Sequence, residues 1–397
     1  MSTRSPAVEH LQEALETAQV VALDFDLDSA TGNIAPPSLG DKASPLIKIA
    51  DRDGNSADGV VVNGTAAETN ARKLAFLEDR KDSTSPLSRV NRVVLDQSGV
   101  EFPEERLSGG IANTAIYVGT APDGTKMAEF DEYLRAVTTN PNRYKAMLKL
   151  SALTAVCGSW MSYVKGGAVS PAIIRTQFHA RVLDEIENGR VKTKIDGWRK
   201  DGLTKSTGDT KGAKTENSGD GAPSNEVDVT VSKKITTALR EEFPGLVDGE
   251  AGTKDKLSSI GLGGTPGGTT VGVAVADIRR TSVIPLPLVR AIKVGDDVAE
   301  NRAVQEAVLA LATYLDLIRL RELHVRVGCA LWVTSSRVRI DGQVFEVDRV
   351  EFTEQVKEWA NTAVDAAAGI VGWNGSVFTV KGNPTLNEIV RDELKVK

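Results

Sequence analysis

The sequence predicts an α+β fold: a sandwich with insertions, such as a split βαβ core. Three observations carry this. Strand-like and helix-like segments follow one another along the chain, heavily interrupted by loops. Hydrophobic residues make up 41% of 397 residues, enough to bury a substantial core, yet aromatics are only 5%, so Val, Ile, Leu and Ala must fill it. The 36 glycines point to many turns. The length fits two domains, or one domain with large insertions.

In chain order, residues 6–18 read as a helix, with Ser5 as N-cap, Pro6 at its first position, and Val8, Leu11 and Leu15 at helical spacing. In QVVALDFDLD, Val21, Leu23, Phe25 and Leu27 alternate with Ala22, Asp24, Asp26 and Asp28, which is a strand. Residues 29–62 read as loop and short strands, and 65–79 as a helix with Thr65 and Glu68 in a capping box. RVVLD is a strand, SGGIAN a turn, and 127–147 helical with a break at 140–142. The apolar run 148–160 fits a buried strand or a buried helix equally. Residues 171–189 read as a helix, capped by Ser170, begun by Pro171 and stopped by Gly189. The polar, glycine-rich stretch 192–226 cannot bury a core and is expected to be mobile. Strands follow at 226–237, at TVGVAVADIRRTSVI, at VRVGCALWV and at SRVRIDGQVFEVDRV. Helices are expected over most of 285–320 and at EFTEQVKEWANTAVDAAAG.

Several function classes fall away. No run of about 18 uncharged apolar residues exists, so no membrane span is expected. The N-terminus lacks a signal-peptide apolar core, so cytoplasm is the expected compartment. Cys157 and Cys329 cannot make a disulfide framework and sit in apolar runs, where cysteine is usually a small core hydrophobe. His10, His179 and His324 are dispersed, with no metal-ligand spacing. The net charge of -6 argues mildly against a nucleic-acid binder, but its distribution qualifies this. From Lys165 to Lys214 there are eleven Lys/Arg against six Asp/Glu, and from Arg319 to Arg339 five arginines against Glu322 alone.

Among candidate motifs, GLGGTPGG (261–268) is neither a dinucleotide fingerprint, because Pro266 replaces the third glycine, nor a Walker loop, because Thr269 replaces lysine. It reads as a flexible hairpin loop or as backbone able to approach a phosphodiester. Asp24, Asp26 and Asp28 share a strand face, as metal ligands or as a solvated surface. An EF-hand fails at Ser29 and Ala35. Lys165, Arg175 and Arg181, continued by Arg190, Lys192 and Lys194, form a cation run suited to phosphates or to an ordinary solvated helix. His179, four residues from Arg175, is expected to be solvated or core.

ALTAVCGSWMSYVKGG followed by IIRTQFHARVLDEI, then IGLGGTPGGTTVGVAVADIRRTSVIPLPLVRAIKVG and LATYLDLIRLRELHVRVGCALWV, resemble a known family, as does the opening helix with QVVALDFDL. It is the CRISPR-associated Cas-seven-type backbone subunit of type I-G (formerly I-U) Cascade effector complexes. The stretch VVVNGTAAETNARKLAFLE departs from the family's Ser-Gln-x-x-Asn-Arg-like pattern, and 192–226 is unusually long.

The resemblance implies a ferredoxin-like (RRM-type, RAMP) core with large insertions. That core would comprise 1–28, 148–191 and 269–350, with an insertion domain at 29–147, a thumb-like insertion at 192–268 and a C-terminal helix and tail at 351–397. It implies a non-catalytic subunit that polymerises along guide RNA (crRNA), beside copies of itself and other Cascade subunits, and meets target DNA through the guide. No metal and no cofactor are expected. The candidate RNA contacts are Ser159, Ser162, Lys165, Arg175, Arg181, Gly261, Gly263, Gly264, Gly267, Gly268, Arg279 and Arg280; strand alternation lets only one of the last two face RNA. Two rivals stand beside this: a metal-dependent RNA-cleaving subunit using Asp26 or Asp28, and a self-assembling structural protein without nucleic acid.

Overall fold

The computed structural model describes residues 6–37, 46–50, 54–107, 110–139, 143–161, 168–183, 186–187, 190–191, 273–321, 323, 325 and 329–384. The first elements are α1 (Pro6–Thr17), β1 (Val20–Ser29), β2 (Asn33–Ile34), β3 (Leu46–Ala50), β4 (Ser56–Asn63) and α2 (Thr65–Asp79). Then come β5 (Arg92–Gln97), β6 (Val100–Pro103), α3 (Thr114–Tyr117), α4 (Ala128–Thr139), α5 (Arg143–Leu150) and α6 (Ala152–Cys157). Short strands β7 (Ser159–Met161) and β8 (Ala168–Ser170) precede β9 (Arg175–Val182), β10 (Ile186–Glu187) and β11 (Arg190–Val191). The chain continues through β12 (Val273–Pro285), α7 (Leu286–Arg290), α8 (Val298–Ile318), β13 (Leu331–Ile340), β14 (Gln343–Glu346), α9 (Arg349–Val371) and β15 (Val377–Lys381).

This is a mixed α+β fold around one large antiparallel sheet of order β14-β13-β1-β12-β9-β4-β3. Its four central strands, numbered by their sequence as β1, β9, β12 and β13, stand side by side as fourth, first, third, second. Helices α2 to α6 connect the first to the second, and α7 and α8 the third to the fourth. One face of the sheet carries Leu23, Phe25, Phe178, Ile284 and Val338, all buried. Helices α2 and α8 cover that face, and α9 packs on α8. Asp297 and Asp348 cap α8 and α9 by accepting two backbone N–H bonds each, which fixes where both helices begin.

A bulge interrupts β12 between Ala276 and Arg279, where Asp277 takes a left-handed φ of 48°. It changes the phase of the strand. Val273 and Val275 are buried before it; Ile278, Arg280, Ser282 and Ile284 are buried after it. Arg280 therefore points into the core and Arg279 away from it.

Several expectations are corrected. The helix expected at 171–189 is replaced, among the described residues, by strand: 175–182 form β9, where alternation buries Thr176, Phe178, Ala180 and Val182. Ser170 and Pro171 end β8 and turn the chain instead of starting a helix. The apolar run 148–160 resolves into the end of α5, then α6, then the start of β7. The capping box at α2 does not form. The cap position is Gly64, and Glu68 is pulled inward by Arg280. Strand β15, which pairs in parallel with β5 in a second sheet, has no counterpart among the strands expected from the sequence.

Gly158 ends α6 with φ 77° and ψ 166°, a region reserved for glycine. A Cβ there would sit 2.7 Å from the Ala172 nitrogen. Gly158→Ala is expected to destabilise the fold by about 1–3 kcal/mol in chemical denaturation.

A buried polar cluster lies where the turn at Glu104–Arg106 meets α2 and β5. Glu104 and Glu105, in a single 3-10 turn, are 0% and 4% exposed. The Val93 N–H donates to Glu104 Oε1 at 3.1 Å. Glu104 Oε2 and both carboxylate oxygens of Glu105 are buried without a hydrogen-bond partner among the described residues.

Candidate nucleic-acid interface

The face of the large sheet opposite the helices is where the sequence-predicted cations meet. On β9, Arg175, Gln177, His179 and Arg181 all point to it, because they occupy alternate positions. Cross-strand pairing sets Arg279 of β12 opposite His179, and Val283 opposite Arg175. On β13, Ser335, Arg337 and Arg339 share the same face, beside Asp24 and Asp26 of β1. Arg175, Arg181, Arg279, Arg337 and Arg339 thus stand on one surface spanning four strands. They face five carboxylates, Asp24, Asp26, Asp28, Asp277 and, opposite Arg337 on β14, Glu346, so the charges on this face balance.

The ion pairs on this face are shared and partly open to solvent. Arg337 Nη1 lies 2.9 Å from Asp26 Oδ2, and Arg279 Nε 3.9 Å from Asp26 Oδ1. Arg339 pairs with Asp24, which also accepts the Thr281 hydroxyl at 2.7 Å. Arg181 Nε donates to Asp277 Oδ2 at 2.7 Å. Exposed Arg175 has no ion-pair partner among the described residues. The hydrogen bond to Asp26 holds the Arg337 guanidinium above its ordinary value. Burial, and then the Arg279 charge, hold the His179 imidazole below its usual range, so the ring is neutral at pH 7. A depression of about 360 Å³ opens between Asp24, Asp26, Arg279, Thr281, Arg337 and Arg339. Guanidinium forks presented this way match the oxygens of a phosphodiester.

Arg280 is a correction. It is fully buried and makes no part of this surface. Its Nη1 and Nη2 bind Asp316 Oδ2 and Oδ1 at 2.9 and 2.6 Å, and its Nε binds Glu68 Oε2 at 2.9 Å. Arg72 Nε adds a further bond to Asp316 at 2.8 Å, and Asn63 and Arg319 reach Glu68. Burial alone would lower the Arg280 value, but Asp316 and Glu68 hold it raised. Burial would raise Asp316, but Arg280 and Arg72 hold it well below the carboxylate range. The network ties β12 to α2 and α8.

Of the other candidates, Ser159 is half-buried in β7, paired with Ser170 of β8 and apart from the arginine face. Ser162, Lys165, Gly261, Gly263, Gly264, Gly267 and Gly268 lie outside the described residues, as do 192–226. Arg337 and Arg339 are functional candidates that the sequence reading misses. Their signal is present in the alternation of SRVRI, once that strand is set beside β1. Cys157 and Cys329 are buried, and burial pushes the Cys157 thiol up to about 11.

Asp24 and Asp26 do share a strand face, but arginines and hydroxyls already engage both, and Asp28 accepts the Ser29 N–H. Among the described residues, no group of three or more His, Cys, Asp or Glu side chains is placed to hold a metal ion. No helix among them is long and apolar enough to cross a membrane. A scan against protein-family models and a search of curated proteins both return no match to this chain.

Proposed function

We propose that this chain is a guide-RNA-binding backbone subunit of a CRISPR effector complex, built on a ferredoxin-like core. The observation that carries the reading is the set of five arginines on the face of the central sheet opposite α2 and α8, which no described helix covers. The fourth-first-third-second strand order, with helices on one face, is the arrangement expected of a split βαβ core. The family resemblance of the segments around β7 to β9 and β12 supports the same reading. In it, the subunit binds phosphates and leaves base edges to pair with target DNA, so sequence is read by the guide. Copies of the chain and other Cascade subunits line up along the RNA. In this reading the subunit has no cleavage role: arginines and hydroxyls engage Asp24 and Asp26, and Asp28 accepts the Ser29 N–H.

Arg175 and Arg279 give the cleanest test. Arg175 has no ion-pair partner among the described residues, and Asp26 keeps Arg337 when Arg279 is removed. The Arg175→Ala/Arg279→Ala variant is expected to melt like the wild type and bind single-stranded RNA more weakly. Its log–log salt slope should flatten by roughly 0.7 for each phosphate no longer neutralised. An unchanged slope would remove these residues from the RNA path. Protein purified from its operon context is expected to carry nucleic acid, seen in its 260/280 nm ratio; a nucleic-acid-free polymer would favour the structural rival. Metal-dependent cuts in bound RNA, abolished by Asp26→Ala, would favour the nuclease.

A further inference from the structure

On the same face, towards the edge strand β3 and its neighbour β4, a groove of about 630 Å³ runs between β3 and β12. That volume lies within the roughly 300–1,000 Å³ typical of sites for small organic groups. Its wall is aliphatic: Ile47, Ile49 and Val61, all half-buried. Gly59 shapes that wall. A Cβ on it would come 2.7 Å from Ile49 Cγ2, so the missing side chain lets Ile49 lie across β4. The floor is polar, with Gln177, His179 and Arg279. Among the described residues, neither the Gln177 carboxamide nor the His179 ring has a hydrogen-bond partner.

We propose that this groove seats one unstacked nucleobase of a single-stranded RNA, its face against Ile47, Ile49 and Val61 and its backbone turned towards Arg279 and Arg175. The inference rests on the RNA-binding reading and adds to it a contact with a base. The chemistry is matched at each side. A flat aliphatic wall suits a base face. A carboxamide offers a donor and an acceptor to a base edge, and so does a neutral imidazole. The burial and the Arg279 charge that keep His179 neutral remove a charge the base does not need. Arg279 is the cation of the floor, and Arg175 lies next along β9. Lys48, the other cation lining the groove, is held by Asp58 at 2.5 Å, which leaves Arg279 as the charge turned to a phosphate rather than the clamp a free nucleotide would require. Unstacked bases in single-stranded segments are the usual targets of protein contacts to RNA bases.

The test uses the full-length chain and two probes: a short oligouridine, and the same oligomer with every base removed. The wild type is expected to bind the abasic oligomer roughly tenfold more weakly, the size of one base contact. Val61→Trp, which fills the groove, is expected to bind the two probes equally with an unchanged melting temperature. Ile47→Ser, which breaks the wall, should also narrow the ratio and serves if the Trp variant fails to fold. Equal wild-type affinity for both probes, with salt-dependent binding retained, would overturn the groove while leaving the RNA reading intact. A ratio that survives both substitutions would place the base elsewhere and also overturn it. Uridine 5′-monophosphate binding as tightly as the oligomer would overturn it in favour of a free nucleotide. Failure to bind either oligomer would defeat the RNA reading itself.

Discussion

Replacing Asp316 by Ala is expected to cost about 3–5 kcal/mol of folding stability. The carboxylate sits at the centre of a cluster that is fully out of water. It takes two bonds from Arg280 and one from Arg72. Removing it leaves two guanidinia buried with too little negative charge, which is far costlier than losing an exposed pair. Against a typical total of about 5–15 kcal/mol, this is a large share. Urea denaturation of the purified variant measures it, and a loss under about 1 kcal/mol would show that water or a shift of α8 compensates. The same cluster predicts acid sensitivity. Asp316 and Glu68 titrate lower in the folded chain than in the unfolded one. Their contribution is therefore present above the ordinary carboxylate range and is lost as pH falls through their folded values. Replacing Arg280 and Asp316 together by Met and Leu should cost less than the two single changes summed, because no charge is left stranded.

The Glu104 cluster has the opposite sign. Burial, and then the neighbouring Glu105, push the Glu104 carboxyl from its ordinary 4.5 up to about 8. Burial also raises Glu105, against the pull of Arg92, Arg80 and Lys73. Between pH 4.5 and about 8 the folded chain keeps a proton on Glu104 that the unfolded chain has released. Stability from this group therefore falls as pH rises across that window. Glu104→Gln keeps the acceptor for the Val93 N–H and removes the titration. The variant is expected to melt above the wild type at pH 8 and to show a flatter melting profile from pH 5 to 8. Parallel profiles for the two proteins would mean that Glu104 is ionised in the folded chain.

What the sequence displays of this fold is period and punctuation. The alternation in β1 and Pro6 at the head of α1 can be read directly, because each depends on neighbours in the chain. β9 carries an alternation too, Thr176, Phe178, Ala180 and Val182 against Arg175, Gln177, His179 and Arg181. The small residues Thr176 and Ala180 blunt it, and Ser170-Pro171 imitates a helix start. The arginine face is half legible. Arg175, Arg181 and Arg279 stand out as cations, but that they meet Arg337 and Arg339 depends on β1 lying between β12 and β13. The burial of Arg280 is illegible, since its partners stand 36 and 212 positions away. Glu68 shows the cost of local reasoning. The spacing for a capping box is present, yet a buried guanidinium outbids a helix end that solvent can satisfy.

The bulge at Asp277 makes β12 a strand with two frames. Its first few residues are indexed to β2 and the end of β9, and the rest to the helices through Arg280. Sliding the strand by two positions keeps the in-and-out pattern of an ordinary strand, so ordinary strands can slip. Here such a slide would drag the left-handed residue off its place and draw Arg280 away from Asp316 at once. The strand is keyed, like a shaft with a single spline. A displacement along β12 therefore has to move Asp277 out of the bulge and break the Arg280 bonds to α2 and α8 together.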